Sequence, residues 1–313
     1  MKSVPPRIPA RVNTIDPSEL EKYSKEINQN IRILNEVKQN TNKEIGSRIE
    51  HKKQNDLLFC FFKPNDVKAF NVNNNSIHTD KLNLNFGSLS LIHNQDDSTI
   101  YYFYGKSHLP NTSNTALRIN LKTKKVEKLR DSHLSKLESS VPVAHLQKLY
   151  FFGGLSIANQ KSADSEYFDK LTETWTVISP MLVPSTHTSG VDLSDEIYLT
   201  SNELRSVIKY YPKTDIYENY FDSKSADLPN SYVFLAAAGE KLFYFYNKGI
   251  FRIDQPGKRE KCESYGVFAS CGSMTQYLAR ADKIFILMSS NRVLEFSFSK
   301  DKGCQARRIR YLE

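Results

Sequence analysis

Seven histidines and four cysteines are the side chains of this 313-residue chain best suited to hold a metal or to serve as nucleophile and base. Metal sites draw on short spacings such as CxxC or paired histidines one helical turn apart. His51, His78, His93, His108, His133, His145 and His187 never stand at such a spacing, and Cys60, Cys262, Cys271 and Cys304 form no CxxC pair. No GxGxxG or GxxxxGK stretch is present to cradle phosphates, and no GxSxG elbow presents a serine. No catalytic residue is therefore assigned, and no cofactor or metal is expected. Cys60 lies inside LLFCFF, where an unpaired cysteine reads as a small buried hydrophobe. Cysteines so far apart fit a reduced, cytoplasmic chain.

The elements that must position any functional side chain are legible in a repeat. LYFFGG at 149–154 ends an apolar run in Gly153-Gly154, and FDKLTETW at 168–175 sets Phe168 ahead of Trp175. Residues equivalent to Phe168 are Phe70, Ile119, Tyr211, Ile253 and Phe296, so successive intervals are 49, 49, 43, 42 and 43. The apolar runs that open each unit start at Leu57, Ile100, Leu149, Ile197, Leu242 and Ile284 and keep the same pace. Six units with a period in the forties and several short strands each are the signature of propeller blades. TIYYFYG, KLYFFGG, KLFYFYN and KIFILMSS are aromatic and β-branched runs of strand length. Polar turns separate them, the outer ones being NNNS at 73–76, KTKK at 122–125, LTET at 171–174, PKTD at 212–215 and QPGK at 255–258.

The double glycine with its spaced tryptophan resembles the kelch-repeat β-propeller family, over about residues 46–312. The third unit matches fully. The second keeps Gly105 but has Val126 for the tryptophan, the first has Ile77 there, and units four to six lose the glycines. Residues 46–313 are therefore expected to form an all-β, six-bladed kelch-type propeller of four-stranded antiparallel blades. The resemblance implies protein binding: scaffolding, cytoskeletal association or substrate capture for ubiquitin ligases.

Ahead of the repeat, residues 1–16 are basic, proline-rich and extended, with no apolar core of a secretory signal. Residues 17–45 place Leu20, Tyr23, Ile27, Ile31, Leu34 and Val37 at spacings of three and four, which predicts an amphipathic helix. Asp16 and Pro17 form its start. Its face of Leu20, Ile27, Ile31 and Leu34 either pairs as a coiled coil in a homodimer or anchors the helix to the propeller.

A net charge of +8 invites a nucleic-acid reading. Against it, Asp96, Asp97, Asp195, Glu196 and Glu240 share the turn face with the lysines, and mixed charge is ordinarily a solvated face. No run of about 18 apolar residues is available to span a membrane. The longest segments between strands are 105–115, 129–141 and 154–166, and long loops on a rigid scaffold are where binding residues gather. Lys106, His108, His133, Lys136 and Lys161 form the predicted partner-binding surface, although simple insertions would also explain the length. The expected function is a non-enzymatic protein-interaction scaffold in the cytoplasm, in a cytoskeletal or ciliary setting. The alternatives are an enzyme with an axial metal or small-molecule pocket and a basic nucleic-acid binder.

Overall fold

A computed structural model describes residue 29 and residues 57–81, 91–103, 116–156, 160–222, 233–262, 274–299 and 303–311, apart from a few positions inside those ranges. The chain divides into two compact units, Met1–Lys53 and Gln54–Glu313. In the first, Gln29 is helical and exposed. Leu20, Ile27, Ile31 and Leu34 lie outside the described residues.

The second unit is all strand among its described elements. Sheet one holds β1 (Leu57–Lys63), β2 (Asp66–Asn71) and β3 (Ser76–Lys81). Sheet two holds β4 (Leu91–Asn94), β5 (Thr99–Phe103), β6 (Ala116–Asn120) and β7 (Lys125–Lys128). Sheet three has β8 (Lys136–Glu138), β9 (Val143–His145), β10 (Lys148–Ser156), β11 (Lys161–Asp169) and β12 (Thr174–Ile178), with β8 and β9 both pairing β10. Sheet four holds β13 (Ser189–Leu193), β14 (Glu196–Thr200), β15 (Ser206–Tyr211) and β16 (Ile216–Asp222). Sheet five holds β17 (Phe234–Ala238), β18 (Lys241–Tyr246), β19 (Gly249–Gln255) and β20 (Lys258–Cys262). Sheet six holds β21 (Met274–Ala279), β22 (Lys283–Met288), β23 (Arg292–Ser299) and β24 (Gly303–Tyr311). Sheets two, four, five and six follow simple up-and-down order, and the described pairings are antiparallel.

Each sheet is covered on both faces by its neighbours, which is why the second strands read as unbroken apolar runs. Leu242 to Tyr246 are all buried, as are Ile284 to Met288. The apolar clusters lie between sheets. Val67, Ile100 and Ile119 join sheets one and two, and Phe103, Phe151 and Trp175 join two and three. Tyr150, Ile197 and Tyr210 join three and four, Val191, Leu235 and Tyr244 join four and five, and Phe245, Ile286 and Phe296 join five and six. Leu58 and Phe70 of sheet one then pack with Phe285 and Val293 of sheet six. The arrangement is propeller-like.

Outer hairpins of sheets one to four repeat one turn. Asn75, Lys124, Glu173 and Asp215, each just before an outer strand, have φ between 54° and 56°. In the first three the residue opening the turn caps it: Asn71 Oδ1 accepts Asn73 N–H at 2.9 Å, Asn120 Oδ1 accepts Thr123 N–H at 2.9 Å, and Asp169 Oδ1 accepts Leu171 N–H at 2.8 Å. Short amide and carboxylate side chains supply this local bond where the backbone has no ladder partner.

The two series of repeat anchors stand opposite one another in four sheets and are offset by one residue in two. Ile100 pairs Ile119, Leu149 pairs Phe168, Leu242 pairs Ile253 and Ile284 pairs Phe296. In sheet four, however, Ile197 pairs Tyr210 rather than Tyr211, and in sheet one Leu58 rather than Leu57 pairs Phe70. Both offsets fall on doublets, Leu57-Leu58 and Tyr210-Tyr211, in which composition does not say which residue faces the neighbouring sheet. A one-residue slip exchanges the two faces.

Candidate functional site

Sheet three departs from its neighbours by an arm. After Phe152 the ladder breaks, Gly153 and Gly154 take φ of 63° and 108°, and pairing resumes with Gly154 opposite Ser162 and Leu155 opposite Lys161. The predicted loop 154–166 is therefore largely ladder: β10 runs on to Ser156 and β11 begins at Lys161. Likewise 129–141 contains β8, with Lys136 opposite Ser156. The bulge is what permits the extension, since it re-aims both strands past the end of β9.

The exit from β12 pins the arm. Gly154 N–H donates to Ser185 O at 2.7 Å, Ser185 N–H to Ser162 O at 3.0 Å and Met181 N–H to Ala163 O at 2.8 Å. Glu203, in the turn between β14 and β15, accepts from the Thr186 N–H at 3.0 Å and the Thr186 hydroxyl at 2.9 Å, and Lys161 Nζ lies 2.9 Å from its Oε1. Partial burial pushes the Glu203 carboxyl up, but the Lys161 and Thr186 bonds prevail and hold it below its ordinary range. A carboxylate lowered by folding contributes stability above its ordinary value of 4.5 and loses it as pH falls through and below that value. Glu203→Gln is accordingly expected to cost about 1 kcal/mol or less at neutral pH, because solvent screens the pair. The gap from wild type should close as thermal melts are taken to lower pH, and a gap independent of pH would contradict the assignment.

The predicted surface residues divide. Lys106 and His108 lie outside the described residues. Lys136 and Lys161 are brought to the two flanks of the end of β10, two strand spacings or roughly 10 Å apart. His133 is exposed, but its Nε2–H donates to the Trp175 carbonyl at 3.1 Å. Around it, Trp175 Nε1–H donates to Arg130 O at 2.8 Å, and the Ser132 hydroxyl meets the buried Glu166 Oε1 at 2.6 Å. Segment 129–134 is thus stitched onto sheet three. His133 belongs to that seam and not to the Lys161 cluster.

Sequence reasoning missed an apolar feature beside the arm. Among the described residues, five large apolar side chains stand exposed, Leu171, Val177, Leu182, Val183 and Ile216, and of these Leu182 and Val183 lie in the segment that pins the arm. Leu182 and Val183 sit between two pinned backbone amides, Met181 and Ser185, so they are held in the open by the framework. The signal was present in MLVPS at 181–185, an apolar run halted by Pro184.

A second concavity lies between sheets two and three at the strand ends carrying their outer turns. It encloses about 500 Å³ and is lined by Thr99, Tyr101, Arg118, Asn120, Glu127 and Lys170, among others. Arg118 Nε donates to Glu127 Oε2 at 2.7 Å and its Nη1 to Glu173 Oε1 at 2.8 Å. Hydrogen bonding to Glu127 raises the Arg118 pKa further, and bonds from Lys125 and Arg118 hold the Glu127 carboxyl below its usual range. Lys170 is only 9% exposed, and burial pushes its ammonium down to about 8. Among the described residues no group of three or more His, Cys, Asp or Glu side chains could hold a metal ion, and no helix is long and apolar enough to cross a membrane.

Comparison with solved structures finds a propeller-type relative in shape. The structure titled "Structure of YjhT" superposes with a TM-score of 0.56 at 12% identity, covering 81% of this chain and 97% of that one. At that identity the likeness concerns the fold. No protein-family model matches the chain, and no curated protein matches it.

Proposed function

We propose that the chain is a non-enzymatic interaction scaffold: a six-bladed, kelch-type propeller that captures a protein partner on the arm of its third blade. The observation that carries this reading is the pair Leu182 and Val183, 55% and 39% exposed on a backbone pinned at Met181 and Ser185. Lone exposed leucines are commonplace, but adjacent ones gathered on one edge and fixed before binding lower the entropy cost of association. Lys161, on the strand to which this segment is pinned, adds a polar rim, the composition typical of an interface patch. The kelch resemblance of Gly153, Gly154 and Trp175 supports the blade type, and the six successive sheets, with sheet one packed on sheet six, support the blade number. The setting we propose is a cytoplasmic assembly of cytoskeletal or ciliary kind, with the segment 17–45 as anchor or dimerisation helix.

The test is affinity purification with quantitative mass spectrometry, comparing wild type with Leu182→Asp/Val183→Asp. A partner enriched at least tenfold on wild type is expected to fall to background on the variant, about 1.4 kcal/mol or more of binding energy. The thermal midpoint should stay unchanged, since both side chains are exposed. Identical protein sets on the two baits would remove the arm as the binding surface.

A further inference from the structure

The cavity between sheets two and three is lined by three cationic side chains, Arg118, Lys125 and Lys170, and by the carboxylate of Glu127. Arg118 is taken up by Glu127 and Glu173, and Lys125 also pairs with Glu127 at 2.5 Å. Asp169, adjacent to Lys170 in the chain, spends its Oδ1 on the turn amides of Leu171 and Thr172. Lys170 itself makes a backbone bond, from its N–H to Gln147 O at 2.9 Å, and among the described residues its ammonium has no hydrogen bond or ion pair, only the longer-range attraction of Asp169. A lysine nine-tenths buried is costly as a cation, because desolvation outweighs the attraction of the neighbouring Asp169 charge. The neutral side chain of Asn120 also lines the cavity; its Oδ1 accepts Thr123 N–H, and its amide nitrogen is a hydrogen-bond donor. A volume of about 500 Å³ lies in the range of small-ligand sites.

We infer that this cavity is a binding site for a small oxyanion-bearing molecule, a carboxylate or a phosphate, with Lys170 supplying the charge that receives it. Arg118 and Lys125 add positive potential from the rim while remaining tied to their carboxylates, and Asn120 hydrogen-bonds the neutral part of the ligand. The site is separate from the arm and lies at the other end of the β10–β11 ladder, so its occupancy does not depend on the partner surface.

The test uses the full chain at pH 7 with ionic strength held constant by sodium chloride. Acylation of Lys170 by acetic anhydride is followed by peptide mass spectrometry, with exposed Lys122 as internal control, in rising inorganic phosphate and, separately, in rising acetate. Saturable protection of Lys170 by about tenfold, equal to a one-unit rise in its pKa, is expected with at least one of the two anions and none at Lys122. Protection by phosphate alone assigns a phosphoryl ligand, and protection by acetate assigns a carboxylate. The protection should fade as pH rises past about 8, where the amine becomes neutral; the other charged groups at the cavity are Arg118, Lys125, Glu127, Glu173 and Asp169. Lys170→Met should abolish the anion-dependent rise in thermal midpoint, and Lys170→Arg should retain it, which covers the case in which the methionine variant does not fold. Equal acylation of Lys170 with and without either anion would overturn the assignment.

Discussion

Trp175→Ala is expected to destabilise the chain by about 3–5 kcal/mol, the cost of truncating a large buried aromatic in a core that cannot collapse around the void. The side chain is 5% exposed, and its ring centroid lies 5.7 Å from Phe103, 5.4 Å from Phe151 and 5.2 Å from Phe168. Phe103 belongs to β5 of sheet two, whereas Phe151 and Phe168 belong to sheet three, so the indole is shared by two sheets. Its Nε1–H also holds the segment leaving β7 through Arg130 O. Trp175→Phe separates these contributions: the aromatic packing largely stays, the donor is lost, and a loss nearer 1–2 kcal/mol is expected because water can reach the exposed Arg130. Since this is the chain's one tryptophan, urea unfolding is best followed by far-ultraviolet circular dichroism. An alanine variant within 1 kcal/mol of wild type would mean that sheets two and three do not share this core.

The same residue marks how far sequence reasoning reaches. The spacing of Phe168 and Trp175 located a pair that the backbone places directly opposite one another, and the indole packs between sheets two and three. Strands and turns were legible because they are local: apolar alternation and Asx capping act within a few residues. Lys170 was not. In FDKLTETW it reads as a solvated turn residue, and only the second sheet, some fifty residues upstream, closes over it. Glu166 and Glu203 were missed for the same reason, since a carboxylate's burial is decided by chain segments far away in sequence. The arm failed differently. Polar composition at 154–166 suggested a loop, yet backbone hydrogen bonding across β8, β10 and β11 does not require apolar side chains once a bulge sets the direction.

That bulge carries the second large expectation. Gly153→Ala should cost roughly 3 kcal/mol, whereas Gly239→Ala should cost roughly 1 kcal/mol, although both glycines have nearly the same backbone conformation, with φ of 63° and 60°. The left-handed conformation penalises any Cβ by a similar amount at either site. At Gly239 nothing lies within 4 Å of the added carbon, so that penalty stands alone. At Gly153 the added carbon would sit 2.7 Å from Ser185 O and 3.2 Å from Ser162 O, both backbone atoms. Those two carbonyls already accept the bonds from Gly154 N–H and Ser185 N–H that pin the arm, so neither can retreat without breaking one. The difference between the two variants therefore isolates close backbone approach from conformational preference. It is read from paired denaturant titrations, and the arm supplies a second readout: amide exchange of Gly154 and Ser185 should accelerate in Gly153→Ala and stay at the wild-type rate in Gly239→Ala. Equal costs for the two substitutions would show that the double glycine serves φ alone, and that the arm is held by other bonds.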